Sequence, residues 1–172
     1  MPATATDFDR LVEQLVAGQL TEEAIGELGT ALAHTFGVRP DEVGILRVQG
    51  AGLEFLYPLK LRKVAVIPLN SASSVAAQTV NTDKPQIINN FSQVRHTTLF
   101  EAVNLRGNGN NRPEQVIQKM MSVPIPGTKG PIGVIQISRK GGSPTQAGKD
   151  FSFGDLQKLL AKARALGKLL HR

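Results

Sequence analysis

The chain contains no cysteine. This excludes disulfides, thiolate metal sites, thiol nucleophiles and cofactors held through a thioether. It fits a reducing compartment, and a cytoplasmic location is expected. Aromatic residues make up 5% of the 172, with one Tyr, so few side chains are available to stack on a ring-shaped ligand. No apolar run approaches the roughly 18 residues of a membrane span, and no membrane association is expected. The N-terminus, MPATATDFDR, has neither a basic start nor an apolar core, so no secretory leader is expected. His34, His96 and His171 form no i, i+4 pair, and no HExxH occurs. There is no phosphate-binding GxxxxGK[ST] and no GxSxG elbow. Glu54, Asp83, Glu101 and Glu114 are scattered. With no acid/base pair, activated nucleophile or metal cluster, no catalysis is expected.

What is present describes one globular domain. Hydrophobic residues are 41% and the length suffices for a sizeable core. The net charge of +6 favours anionic partners: nucleic acid, a phosphorylated small molecule or an anionic surface. A terminal helix from about Phe153 to Leu170 carries Leu156, Leu159, Leu160, Ala163, Leu166 and Leu170 on one face. Lys158, Lys162, Arg164 and Lys168 occupy much of the rest. No aromatic follows Phe153 to stack on bases, so these charges read as a solvated face and nucleic acid is not an expected partner.

The chain is organised around Met121 to Lys140. Two β-branched, apolar runs, Met121 to Ile125 and Ile132 to Ile137, flank a Pro- and Gly-rich turn, which predicts a hairpin. Ile132, Val134 and Gln136 share one face of the second strand; Gly133, Ile135 and Ile137 share the other. Both faces are mostly apolar, so the strand belongs in mid-sheet with something packed on each side. Gln136 is the exception, because a buried amide must find a partner. Helices are expected on one side of the sheet and a ligand-sized space on the other.

Thr6 reads as the N-cap of a first helix ending at Gly18, with Phe8, Leu11, Val12, Leu15 and Val16 as its stripe. Thr21 and Gly37 bracket a second, with Ile25, Leu28, Leu32 and Phe36 on one face. Strands are predicted over Val43 to Gln49, Leu53 to Tyr57 and Val64 to Leu69. Leu53, Phe55 and Tyr57 alternate onto a common face. A small-residue helix, Ser73 to Val80, precedes a short edge strand at Gln86 to Asn89. From Phe91 to Pro113 the pattern dissolves into an irregular, Gly- and Asn-rich segment, of the kind that carries function. A short helix from Pro113 through Gln118 and a loop from Gly141 to Lys149 complete the prediction. The fold class is α+β, with an antiparallel sheet of about six strands.

This order of elements, with the motifs Ser122-Val-Pro-Ile125, Ile132-Gly-Val-Ile-Gln136 and Phe151-x3-Asp155, resembles the GAF domains, small-ligand sensory modules. Ala76-Ala77-Gln78-Thr79 before Lys84-Pro85, then Ile87-Ile88-Asn89-Asn90, fits the middle of the same pattern. The resemblance covers Leu20 to Leu170. It implies a GAF-like domain at 20–172 behind a helical lead-in at 1–19, with terminal helices on one sheet face and a short-helix and loop cover on the other. Ser138-Arg139 stands where cyclic-nucleotide-binding members carry Asn-Lys, and Leu156 replaces their Glu, which argues against a cyclic nucleotide. Covalent bilin attachment and methionine-sulfoxide reduction in this family use cysteines, which this chain lacks. No cofactor is expected.

The resemblance places the ligand between the sheet and the cover. The candidate residues are Tyr57, Ser73, Ser74, Asn89, Asn90, Phe91, Arg95, His96, Phe100, Met121 and Gln136. Most have two readings. Arg95 and His96 meet an anionic ligand or form a solvated loop pair. Asn89 and Asn90 contact a ligand or cap a turn. Phe91 and Phe100 are ligand platform or core. Ser73 and Ser74 bind an anion or cap a helix. The expected activity is non-catalytic sensing of an unidentified small ligand. Output would pass to an unidentified protein partner, through a homodimer whose helical bundle uses the apolar stripes of the first and last helices. The alternative is a ligand-free dimerisation scaffold whose pocket is filled by its own side chains.

Overall fold

The computed structural model describes residues 5–15, 20–62, 66–91 and 116–170. Five helices are described: α1 (Ala5–Gln14), α2 (Glu22–Phe36), α3 (Val75–Thr82), α4 (Pro144–Ala147) and α5 (Phe153–Leu170). Six strands form one sheet: β1 (Val43–Gln49), β2 (Gly52–Tyr57), β3 (Val66–Pro68), β4 (Gln86–Ile88), β5 (Ile117–Gly127) and β6 (Gly130–Lys140). The sheet order is β3-β2-β1-β6-β5-β4, and every neighbouring pair is antiparallel. β6 lies between β1 and β5, so the strand carrying Gln136 is interior, as its two apolar faces require.

Helices α1, α2 and α5 cover one face. Thr21 caps α2, its Oγ1 accepting from the Ala24 N–H at 3.1 Å. Gly37 ends that helix at φ 63°, a left-handed conformation that costs glycine nothing. Ser152 and Asp155 start α5 reciprocally: the Asp155 N–H donates to Ser152 Oγ, and the Ser152 N–H donates to Asp155 Oδ2. Leu156, Leu159, Ala163 and Leu166 of α5 and Ile25, Leu28 and Leu32 of α2 pack with Val123, Ile125, Ile135 and Ile137 of the sheet in one cluster. Each Leu, Ile or Val of this cluster, fully buried, stabilises the fold by about 1.5–3 kcal/mol. Phe8 of α1 is buried in the same cluster, and Leu11, Val12 and Leu15 pack against it.

Several local expectations are corrected. α1 begins at Ala5, which puts Thr6 inside the helix rather than at its cap, and the helix stops at Gln14. Ile117 and Gln118 are strand, not helix, because β5 extends to pair with the far end of β6. The supposed loop after β6 contains α4, whose start is set by Ser143 Oγ accepting from the Gln146 N–H and by Pro144 at the first helical position. Lys162 is buried rather than solvated: α1 lies across α5, and Asp9 meets the Lys162 ammonium at 3.1 Å. The rest of the irregular segment, including the 104–111 stretch, lies outside the described residues. No described helix is long and apolar enough to cross a membrane.

Candidate functional site on the α3 face of the sheet

The opposite face is built differently. α3 carries Val75, Ala76 and Ala77 inward, and these small side chains let its backbone approach the strands. Ser74 caps it, Oγ accepting from the Ala77 N–H at 3.1 Å. Leu46, Phe55, Phe91, Met120 and Val134 supply an apolar wall. Set within that wall is a row of neutral polar groups. Gln136 is 1% exposed, and Ser122 and Thr79 are fully buried. β5 and β6 place Ser122 directly opposite Gln136, and α3 brings Thr79 onto Ser122.

The hydrogen bonds of this row have a fixed direction. Thr79 Oγ1 donates to the Val75 carbonyl at 2.8 Å. Its single hydrogen is then committed, so at the 2.7 Å contact between the two hydroxyls Ser122 is the donor. Ser122 Oγ in turn accepts from Gln136 Nε2 at 3.3 Å, and Gln86 Nε2 donates to Thr79 Oγ1 at 3.3 Å. The relay runs Gln136, Ser122, Thr79, Val75. It fixes the amide of Gln136 with its nitrogen toward Ser122 and its carbonyl oxygen away from it. Neither hydroxyl hydrogen-bonds a histidine, a carboxylate or an amine among the described residues, so nothing there activates a nucleophile. Likewise, among the described residues, no three of His, Asp and Glu converge as a metal site would require.

The structure brings Gln136, Ser74 and Phe91 of the candidate set to this face, and separates others from it. Tyr57 is on the helix face. At a β-bulge, Leu56 and Tyr57 together oppose Ile45, which breaks the alternation that would have kept Tyr57 with Leu53 and Phe55. Its ring lies on Gly29 of α2, so closely that a Cβ there would fall inside it. Burial raises its hydroxyl pKa above the ordinary tyrosine value. Met121 is also on the helix face, opposite Ile137. Counting back from the two-residue turn Thr128-Lys129 in a regular ladder would pair Met121 with Gln136. A bulge at Ile132, between the Pro126–Pro131 and Ile125–Gly133 pairs, moves the register by one and puts Ser122 there instead. Asn89 is engaged elsewhere. Its Oδ1 accepts from the Phe151 N–H at 2.9 Å and its Nδ2 donates to the Phe151 carbonyl at 3.2 Å, tying the end of β4 to the entry of α5. Asn90 is exposed in a turn. Ser73 is half-buried, its hydroxyl 3.5 Å from that of Ser71. Arg95, His96 and Phe100 lie outside the described residues.

Ser122, Thr79 and Gln86 were not candidates from sequence. Ser122 lies in the hairpin motif itself, but only the bulged register brings it opposite Gln136.

No protein-family model matches the sequence, and no curated protein is significantly similar to it. Solved structures are similar in fold. The GAF domain of an Acinetobacter phosphoenolpyruvate-protein phosphotransferase superposes with a TM-score of 0.70 at 12% identity, over 96% of this chain and 89% of that one. The nlh2 GAF domain of A. aeolicus, in an inactive state, gives 0.65 at 17% identity, over 96% and 91%. Free methionine-R-sulfoxide reductase from Neisseria meningitidis, solved with its substrate, gives 0.65 at 14% identity, over 95% and 84%. The fold is that of a GAF domain. In this fold the polar row crosses the central hairpin beneath α3, and the described part of the chain closes that face with α3, Phe91 and Met120.

Proposed function

We propose that this GAF domain is a non-catalytic sensory or regulatory module that takes a small molecule over the α3 face, against Gln136. The observation that carries this is the directed relay. Gln136 is held by Ser122 through its amide nitrogen, in a wall that is otherwise apolar apart from this row. Such a wall with a few placed polar groups is the usual make-up of a small-molecule site. Binding acts by population shift, through unequal affinity for two arrangements of the domain. Output leaves through a protein partner. Neighbours in a phosphotransferase and in an inactive-state GAF domain support a regulatory role. The same fold also serves as a reductase in Neisseria meningitidis. The cysteine chemistry that the family resemblance implies for such enzymes is closed to a chain without cysteine.

A second reading has its own observation. Phe91 and Met120 are buried in the α3-face cluster, so the chain's own side chains occupy part of the space, as in a ligand-free scaffold. Thermal-shift measurement against nucleobases, amino acids and small amides separates the two. A sensor shows a melting-temperature rise with one of these compounds, and the rise is lost in Gln136→Met. A flat response across the whole panel favours the scaffold.

A further inference from the structure

Where α1 lies across α5, the apolar stripes of the two helices meet within the chain. Beside that seam the helices leave a cleft of about 460 Å³. Its volume is that of a small-molecule site, for which roughly 300–1,000 Å³ is usual. Leu169 is buried at the cleft, and the half-buried Val12 and Leu15 flank it. Three charged side chains complete the lining: Asp9 and Glu13, one turn apart on α1, and Lys168 in the last turn of α5. Asp9 is already answered, because it meets the buried ammonium of Lys162 at 3.1 Å. Glu13 and Lys168 are exposed, and neither forms an ion pair among the described residues. The cleft therefore offers one carboxylate and one ammonium, from opposite helices, beside a hydrocarbon surface.

We propose that this cleft binds a small apolar α-amino acid as its zwitterion. The ligand carboxylate meets the Lys168 ammonium, the ligand ammonium meets the Glu13 carboxylate, and the ligand side chain lies on Val12, Leu15 and Leu169. An α-amino acid carries a negative, a positive and an apolar group on one carbon, and these are the three complements of the lining. A ligand with a single charge fits less well. An anion gains Lys168 but faces the carboxylates of Asp9 and Glu13, and a cation gains Glu13 but faces Lys168. The bound amino acid bridges α1 and α5 on the helix side of the sheet. Gln136 is on the other side, so the proposal is independent of ligand binding at the α3 face.

Amide chemical shifts of the isotope-labelled whole chain test it, in titrations with leucine, methionine and phenylalanine. Each amino acid is compared with its two analogues that lack the carboxylate or the ammonium. The expected result is saturable shifts at Glu13, Ala165 and Leu169, which line the cleft, with at least one of the three amino acids. Both analogues of that amino acid bind at least tenfold more weakly. Glu13→Gln and Lys168→Met each weaken its binding at least tenfold, and Gln136→Met leaves it unchanged. Glu13 and Lys168 are exposed, and circular dichroism checks that each variant is folded. No saturable shift up to the solubility of all three amino acids overturns the proposal. So does an analogue that binds as well as its parent, or binding that survives Lys168→Met. Binding lost in Gln136→Met assigns the amino acid to the α3 face and overturns it too.

Discussion

On the helix side of the central hairpin stand Met121, Val123, Ile125, Ile135 and Ile137; on the α3 side of the same strands stand Met120, Ser122, Val134 and Gln136. The first set is sealed hydrocarbon, held by burial that is indifferent to direction. The second contains a relay in which each donor must find its acceptor, so a change at one member is felt by the next. The helix side holds the larger apolar cluster, and the α3 side adds groups that pair only in fixed directions. A site that recognises something is expected on the face whose groups have direction.

The largest effect that tests this contrast is on the helix side. Leu159→Ala is expected to cost about 3 kcal/mol in denaturant unfolding, as buried leucine truncations do. A loss below about 1 kcal/mol would mean that this face is not the sealed layer described. A comparable effect lies at the end of β6. The Lys140 ammonium is buried there, donating to the Asp41 carbonyl at 2.9 Å, while the Lys140 N–H donates to Glu42 Oε2. Burial lowers its pKa to about 8 from 10.5, against the opposing pull of Asp41 and Glu42. Between those values the unfolded chain holds more protons than the folded one, so stability rises with pH, by up to about 3 kcal/mol. Lys140→Met should flatten that rise. An unchanged slope would assign it to other groups. The smallest effect is on the α3 side. Ser122→Ala removes the acceptor of Gln136 and the donor to Thr79, at about 2 kcal/mol. Replacing the whole row, with Ser122→Ala, Thr79→Val and Gln136→Met, should recover much of that loss, because the one group that then loses an acceptor, the Gln86 amide, is only half-buried. If the triple variant loses three times as much as the single one, the row acts as separate contacts and the contrast between the faces fails.

Much of this was legible in the chain itself. β1 and α5 lie where the apolar pattern puts them, α2 and β2 differ from it by a residue at most, and β6 is interior because both its faces are apolar. Gln136 stood out as an amide among β-branched residues. Its partner did not, because register depends on where a strand bulges, and the extra residue at Ile132 is not marked by composition. The same limitation moved Tyr57 to the helix side. Lys162 looked solvated because helical spacing says nothing of a second helix laid over the first. Asn89 reads in sequence as a ligand contact or a turn cap, and its target, Phe151, was not legible because it is distant in the chain and adjacent only in the fold.

The position of β6 has a consequence for how the chain is assembled. β1, β2 and β3 form a meander of near neighbours, made before β5 and β6, yet β1 must wait for Ile137 to arrive opposite Val43. Until then the inner edge of β1 is an open row of peptide groups, the kind of edge that pairs with the wrong chain. The hairpin of β5 and β6 is itself local and quick to form, so the slow event is its docking as a unit onto that waiting edge. A nascent chain stalled before residue 130 would carry half a sheet with its middle exposed, so the two halves become one sheet only when the central strand arrives.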